Sequence, residues 1–216
     1  MAPGHRKKEQ MREDVVFTYS KEGFTGAIYH DVTALSPREA YDHLGKLLLF
    51  KNGPIELDGF ETTGNMQEDL KLMKEEHAAE VILPVYIYSH SGTAISTTPF
   101  ACKWDSCQAG WIVACTSDIL SEYEATSIDD ALRKTVAAAL KAEVEVYGDY
   151  LNGDVFEYTI CRGTDTNMPV GSCGGYYGFE VAKAAMVEAV DALAADALAD
   201  EFSLFQAQGL PIPEAV

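Results

Sequence analysis

Basic residues are few in this chain. Its 216 residues include 16 Lys and Arg against 34 Asp and Glu, which gives a formal net charge of −18. The imbalance is strongest from residue 143 onward, where Arg162 and Lys183 stand alone among many acids. A field of that sign repels nucleic acid and attracts basic protein surfaces. Direct nucleic-acid binding is therefore disfavoured, and a protein partner with a basic surface is expected.

Long apolar runs are missing as well. No stretch approaches the roughly 20 apolar residues that would span a bilayer. Residues 1–13 are polar and basic, without the apolar segment of a secretory signal. We therefore expect no membrane partner and a cytoplasmic setting.

Cysteines are few, odd in number and without a Cys-x-x-Cys pair. The five are Cys102, Cys107, Cys115, Cys161 and Cys173. This pattern favours reduced thiols over a disulfide framework. One alternative is a zinc site with four ligands: His90, Cys102, Cys107 and Cys173. Their spacing does not support it, so no metal and no other cofactor is predicted.

The apolar pattern predicts an α+β fold. We expect strands over 15–20, 26–32, 81–88, 93–99, 110–116 and 155–161, helices over 36–50, 66–79, 127–151 and 179–204, and a glycine-rich turn over 171–178. This order predicts a mostly antiparallel sheet packed by two long helices, in a single domain over residues 14–208. A flexible basic arm (1–13) precedes that domain, and an extended tail (209–216) follows it.

Certain residues indicate where these elements begin, end or bend. Ser36, directly before a proline, and Ser127 are typical helix N-caps. Gly153 suits the left-handed position that ends a helix. Pro84 within the strand over 81–88 indicates a sheet edge or a bulge.

The segment from Tyr88 to Ser106 concentrates polar and reactive side chains after an apolar strand. His90, Cys102 and Asp105 are the residue types of a thiolate nucleophile with its base and orienting acceptor. The simpler interpretation is that Cys102 is a small buried residue and that Asp105 caps a turn. The residues of a candidate pocket are Tyr88, Ser91, Trp104, Ser106, Cys173 and Tyr177.

The glycine-rich run and the acidic clusters have simpler interpretations too. Residues 171–178 precede a helix and could cradle a phosphate, but no lysine follows and the setting is acidic, so a structural turn is favoured. The candidate partner-binding acids are Glu143, Asp149, Asp154, Asp191, Asp196, Asp200 and Glu201. For those near the end of the helix over 127–151, a solvated face competes with a cation site.

A set of short motifs follows a specific order along the chain. These are Tyr88–Gly92 (YSHSG), Ser96–Phe100 (STTPF), Trp104–Ser106 (WDS), Lys141–Glu145 (KAEVE), Tyr150–Val155 (YLNGDV) and Ser172–Cys173 with Tyr177–Gly178. The pattern resembles a family of uncharacterised proteins encoded by phages and other mobile elements. That family has glycine at the position of Cys107, proline at that of Lys103 and a large aromatic residue at that of Gly174. The resemblance implies a phage accessory protein and transfers no catalytic residue.

Three functions follow as hypotheses. The first is a phage-encoded inhibitor that works in the host cytoplasm and binds a host defence or nucleic-acid-handling protein, as anti-CRISPR and anti-restriction proteins do, by nucleic-acid mimicry. The second is a hydrolase or small-molecule enzyme that uses His90, Cys102 and Asp105. The third is a virion assembly protein. A homodimer is compatible with each of them.

Overall fold

The computed structural model describes residues 14–50, 53–89, 93–101, 106–163 and 169–208, with the backbone alone at 89 and 201–208. In chain order the strands are β1 (Phe17–Lys21), β2 (Phe24–His30), β3 (Lys46–Leu49), β4 (Ala79–Ser89), β5 (Thr93–Ser96), β6 (Ser106–Cys115), β7 (Val155–Arg162) and β8 (Pro169–Tyr177). The helices are α1 (Pro37–Ala40), α2 (Met66–Glu75), α3 (Thr116–Glu122), α4 (Asp130–Asn152) and α5 (Phe179–Gln208). The predicted α+β fold with antiparallel strands is confirmed.

The chain divides into two compact units. Of the described residues, those up to Ala34 and from Gly153 onward form the first unit, and those from Leu35 to Asn152 form the second unit. Each has a four-stranded antiparallel sheet, in the order β1-β2-β7-β8 and β3-β6-β4-β5 respectively. The sequence predicted one domain over 14–208, and within that range each unit has a core of its own.

The first unit starts with the predicted hairpin. Glu22 and Gly23 connect β1 to β2 and have φ angles of 45° and 77°. Two successive positive φ angles are those of a type I′ turn, whose twist suits an antiparallel pair, and Gly23 adopts its conformation without steric cost. β2 then pairs with β7, so that Ile28 lies opposite Tyr158.

Helix α5 covers one face of the first unit's sheet. Ala182, Met186 and Val190 are buried against Ile28 and Ile160. This close approach requires a glycine in β2, because a Cβ at position 26 would lie 2.7 Å from the Met186 sulfur. The predicted helix over 179–204 is confirmed and extends to residue 208.

The predicted glycine-rich turn over 171–178 is wrong, because most of it is strand β8. Its residues pair with β7 along the edge of the sheet. The register shifts between Phe156 and Tyr158, where Gly175 has a φ of 76°. The glycines therefore accommodate a β-bulge rather than a connecting turn.

The second unit packs both faces of its sheet. Val136, Leu140 and Val144 of α4 are buried against one face. On the other face, the residues that pack include Phe60 and Met73. The prediction that Pro84 marks a sheet edge or a bulge is confirmed. The β4–β6 register shifts directly after Val85, which is a bulge. β5 pairs with β4 only from Tyr86 onward, so within the described residues Pro84 lies on an open edge of β4.

The predicted helix over 36–50 is wrong after its first turn. Ser36 caps α1 as expected, but the helix ends at Ala40 and the leucines form β3. Leu47 and Leu49 are buried on the face that α4 covers, whereas Leu48 is buried on the opposite face. In a strand, successive side chains point to opposite faces of the sheet, so these leucines can be buried on both faces. The apolar residues of an amphipathic helix would all lie on one side.

A buried arginine holds the segment between α1 and β3 in place. The Arg38 side chain is 6% exposed and donates to both carboxylate oxygens of Glu56 and, at 2.9 Å, to Glu143. It also donates to the carbonyl of Gly45, and Glu143 accepts from the amides of Leu44 and Gly45. Because the charges are paired and further hydrogen-bonded, their burial is tolerated.

The other two predicted helices of the second unit differ at their ends. α2 stops at Glu75 rather than at residue 79, and its Asp69 is buried and hydrogen-bonded to Thr62 and Thr63. α4 is capped by Asp129, which accepts from the Leu132 amide at 2.8 Å, and not by Ser127. Its predicted end is confirmed by the positive φ of the glycine after it, at position 153.

We predict that Arg38→Met lowers the free energy of unfolding by about 3 kcal/mol, because Glu56 and Glu143 lose their buried cation. Urea denaturation followed by circular dichroism measures the loss. The matched control is Arg133→Met, whose ion pairs with Glu80 and Asp130 lie at the surface and should contribute much less. Equal losses for the two variants would contradict this account of the cluster.

Candidate functional site

The structure describes parts of the segment from Tyr88 to Ser106, including both of its ends. His90, Ser91, Cys102, Trp104 and Asp105 lie outside the described residues, so the structure does not place the candidate catalytic trio. Tyr88 and Ser106 are described, and the β4–β6 register places them opposite each other. The strands therefore bring together the two ends of this segment.

Two aromatic rings lie near that end of the second unit's sheet. The rings of Tyr88 and Phe100 lie 5.7 Å apart between centroids, and both residues are half-buried. Trp111 lies opposite Pro84 in the ladder, and its indole nitrogen is buried without a hydrogen-bond partner in the described part of the chain. Trp111 itself packs against the core that contains Leu48 and Met73, so of these three described rings only those of Tyr88 and Phe100 offer apolar surface at this end.

Cys173 and Tyr177 of the candidate pocket belong to the first unit, on β8. Cys173 is exposed and lies opposite Tyr158 in the ladder. The rings of Tyr158 and Tyr176 stack with centroids 5.6 Å apart. A hydrogen bond to Cys173, then burial and a hydrogen bond to Tyr158, raise the pKa of the Tyr176 hydroxyl well above its usual range. Tyr176 is therefore harder to ionise than an ordinary tyrosine.

The candidate partner-binding acids near the end of α4 have different surroundings. Glu143 is bound to Arg38 and to backbone amides, so its carboxylate serves the fold of the second unit. Asp149 is half-buried. Asp154, in the first unit, is exposed, and its backbone carbonyl accepts from the Gly178 amide at 2.9 Å.

The candidate acids on α5 fall into two groups. Asp191 accepts hydrogen bonds from Lys21 at 3.1 Å and from the Tyr19 hydroxyl at 3.0 Å, and these bonds lower the pKa of its carboxyl group. Asp196 and Asp200 are exposed and form no ion pair within the described residues. Of Glu201, only the backbone is described. The exposed pair is thus free to meet an external cation.

The part of α5 that carries Asp196 and Asp200 also borders a cleft of about 640 Å³. Its floor is apolar and consists of Phe24, Leu193, Ala194, Ala197 and Leu198. Its charged rim consists of Glu22, Arg162, Asp196 and Asp200. The Arg162 guanidinium lies 5.5 Å from the centre of the Phe24 ring, in a cation–π contact.

Sequence reasoning missed most of this cleft. It selected Asp196 and Asp200 by their charge alone. Phe24 and Arg162 are far apart in the sequence and become neighbours only through the β2–β7 register. The one hint in the sequence is Leu198, an apolar residue four positions after the buried Ala194, and only the structure shows that it is 51% exposed.

The described ranges also bear on metals and membranes. Among the residues that the structure describes, no group of three His, Cys, Asp or Glu side chains could hold a metal ion. Cys107 and Cys173 of the zinc alternative are exposed, and the other two ligands lie outside the described residues. No helix in the described part is long and apolar enough to cross a membrane.

Comparison with known proteins adds no relative. No protein family, no curated protein and no solved structure matches the chain.

The four described thiols should differ in reactivity. Cys107 and Cys173 are exposed, whereas Cys115 and Cys161 are buried, and burial raises the pKa of the Cys115 thiol. Because the thiolate is the reactive form, we expect a pulse of iodoacetamide near neutral pH to label the exposed pair first. Peptide mass spectrometry quantifies each site, with the urea-unfolded chain as the control. Labelling of Cys115 in the folded protein as fast as Cys173 would contradict these placements.

The carboxyl group of Asp191 should report its contact with Lys21. Lys21→Met is expected to raise its pKa towards the ordinary value, and Tyr19→Phe should do so too, because each removes a hydrogen bond to the ionised form. NMR titration of the carboxyl carbon measures both shifts.

The lowered pKa of Asp191 also determines how the stability of the protein changes with pH. The stabilisation by ionised Asp191 is present above the ordinary pKa of an aspartate and is lost as the pH falls through the lowered folded-state value. Lys21→Met should therefore be less stable than the unmodified protein near neutral pH, and the difference should shrink on acidification. A difference that grows on acidification would contradict the contact.

Proposed function

We propose that this protein is an acidic accessory inhibitor, which binds the basic surface of a host defence or nucleic-acid-handling protein in the host cytoplasm and blocks it. The observation that carries the proposal is the exposed acidic surface of α5. The proposal that the protein is encoded by a phage rests on the resemblance of its short motifs to those of a family of phage-encoded proteins.

The exposed acids of α5 have little to neutralise them. Glu188, Asp196 and Asp200 are exposed and form no ion pair within the described residues. The one base among the described side chains of the helix, Lys183, lies 3.7 Å from Glu180. Between Glu188 and Asp200 the charges extend over about 18 Å of helix, at 1.5 Å per residue. A cationic partner that spans this length would relieve the repulsion among them.

The core of the first unit does not need these charges. α5 packs on its sheet through Ala182, Met186 and Val190, which lie on the opposite side of the helix from Glu188. Exposed like charges contribute little to folding and somewhat oppose it. Their accumulation on this helix is therefore better explained by an interaction than by stability.

The charges also favour a protein over other partners. Nucleic acid is repelled by the net charge of −18. Complementary charges between two proteins accelerate their encounter and help to select the partner. An acidic surface that occupies a groove evolved for nucleic acid would block that groove without any chemical step.

We predict that a tagged form of the protein retains one host protein from lysate at low salt and releases it at high salt. The charge-reversal variant Glu188→Lys/Asp196→Lys/Asp200→Lys should weaken retention by about tenfold or more, because each added cation repels the partner's basic surface. Quantitative mass spectrometry of the retained proteins measures both effects.

The matched control is Glu61→Lys/Glu76→Lys/Glu122→Lys, which changes the net charge equally through exposed acids of the second unit. It should retain the partner. Retention that survives high salt and both triple variants would overturn the electrostatic inhibitor. If the two triple variants weaken retention equally, the attraction depends on the net charge of the protein and not on the surface of α5.

A further inference from the structure

The cleft beside α5 combines two properties that the proposed function does not require. An apolar floor accompanies the acids, whereas hydrated acids alone would suffice for long-range attraction. Its volume of about 640 Å³ lies within the usual range of protein ligand sites, about 300–1,000 Å³.

The fold fixes the positions of the residues that line the cleft. Glu22 stands in the tight β1–β2 turn, and its φ of 45° belongs to that turn. Phe24 and Arg162 face each other across the β2–β7 ladder, at the end of the sheet. The opposite wall is α5, held by the buried Ala194. The cleft therefore does not depend on a partner to form.

The floor offers apolar surface to a ligand. Phe24 and Ala194 are almost fully buried, Leu193 and Ala197 are half-buried, and Leu198 is 51% exposed at the edge. Exposed apolar surface beside a groove is stabilised when a ligand covers it. A fully hydrated ion such as Mg²⁺ would leave this surface uncovered.

The rim selects the charge of the ligand. Glu22, Asp196 and Asp200 supply three exposed carboxylates, none of which forms an ion pair within the described residues. The one cation on the rim, Arg162, lies over the Phe24 ring. The nearby Lys21 is bound to Asp191, which does not line the cleft. An anionic ligand would be repelled, and a neutral apolar ligand would bury carboxylates without a partner.

We propose that this cleft binds a lysine- or arginine-bearing peptide segment of the partner, an inference that rests on the proposed function and locates its contact. Lysine and arginine side chains have an aliphatic stem that suits the apolar floor and a cationic head that suits the acidic rim. The segment would lie along the end of the sheet, with its cations towards Glu22, Asp196 and Asp200.

The test uses the full chain and a fluorescein-labelled peptide of alternating lysine and leucine. Its anisotropy measures affinity, and a peptide of alternating glutamate and leucine is the control ligand. We expect Asp196→Asn/Asp200→Asn to weaken binding by about tenfold. The matched control Glu61→Gln/Glu76→Gln removes two exposed charges from the second unit, outside the cleft, and it should change the affinity less than about twofold.

The apolar floor is tested separately by Leu198→Ser. Because this side chain is half exposed, the variant should fold normally, and thermal unfolding checks that it does. We expect it to weaken the lysine–leucine peptide several-fold and to leave a lysine–glycine peptide, which lacks apolar side chains, unaffected. No effect on either peptide would overturn the role of the floor.

Other outcomes separate this proposal from the proposed function. Equal weakening by the two charge-removing pairs, or no binding of the lysine–leucine peptide, would overturn the cleft. If the lysate partner binds with the expected salt dependence but ignores Asp196→Asn/Asp200→Asn, the proposed function stands and the cleft proposal fails. If the peptide binds in the cleft and the lysate yields no partner, the cleft stands and the inhibitor fails.

Discussion

The pairing of β2 with β7 is the constraint on which the first unit depends. It joins residues 24–30 to residues 156–162, so the entire second unit lies between the two strands in the chain. The same ladder builds the surface on which α5 packs and places Phe24 opposite Arg162. Contacts this distant in sequence require a long loop to close, which costs conformational entropy. The acidic helix and its cleft therefore require both segments of a discontinuous unit.

Much of the fold is encoded in local signals. The hairpin needs only Glu22 and Gly23 between alternating strands, and α4 needs only its apolar stripe and the glycine that follows it. The segment over 36–50 carries a helix start as well, but Arg38 is bound by Glu56 and Glu143, which come from elsewhere in the chain. No local pattern predicts a partner that distant. Tertiary contacts therefore decide this segment.

The candidate site was predictable in its charge and not in its shape. Composition alone indicates an acidic surface, and Asp196 and Asp200 follow from it. Charge does not distinguish them from Glu143, which is just as acidic in the sequence but is bound to Arg38. The cleft depends on a ladder between distant strands and on which side of α5 faces the sheet. Its outermost leucine, Leu198, is visible in the sequence but uninformative until the buried side of the helix is known.

Chemical-shift mapping tests the central claim most directly, because it reports where a basic segment binds without any variant. The isotope-labelled protein is titrated with the lysine–leucine peptide while its backbone amides are followed by NMR. The account predicts that the largest shifts lie at residues 22–24, at Arg162 and at residues 193–200. Shifts confined to residues 84–88 and 106–111, in β4 and β6 of the second unit, would contradict it.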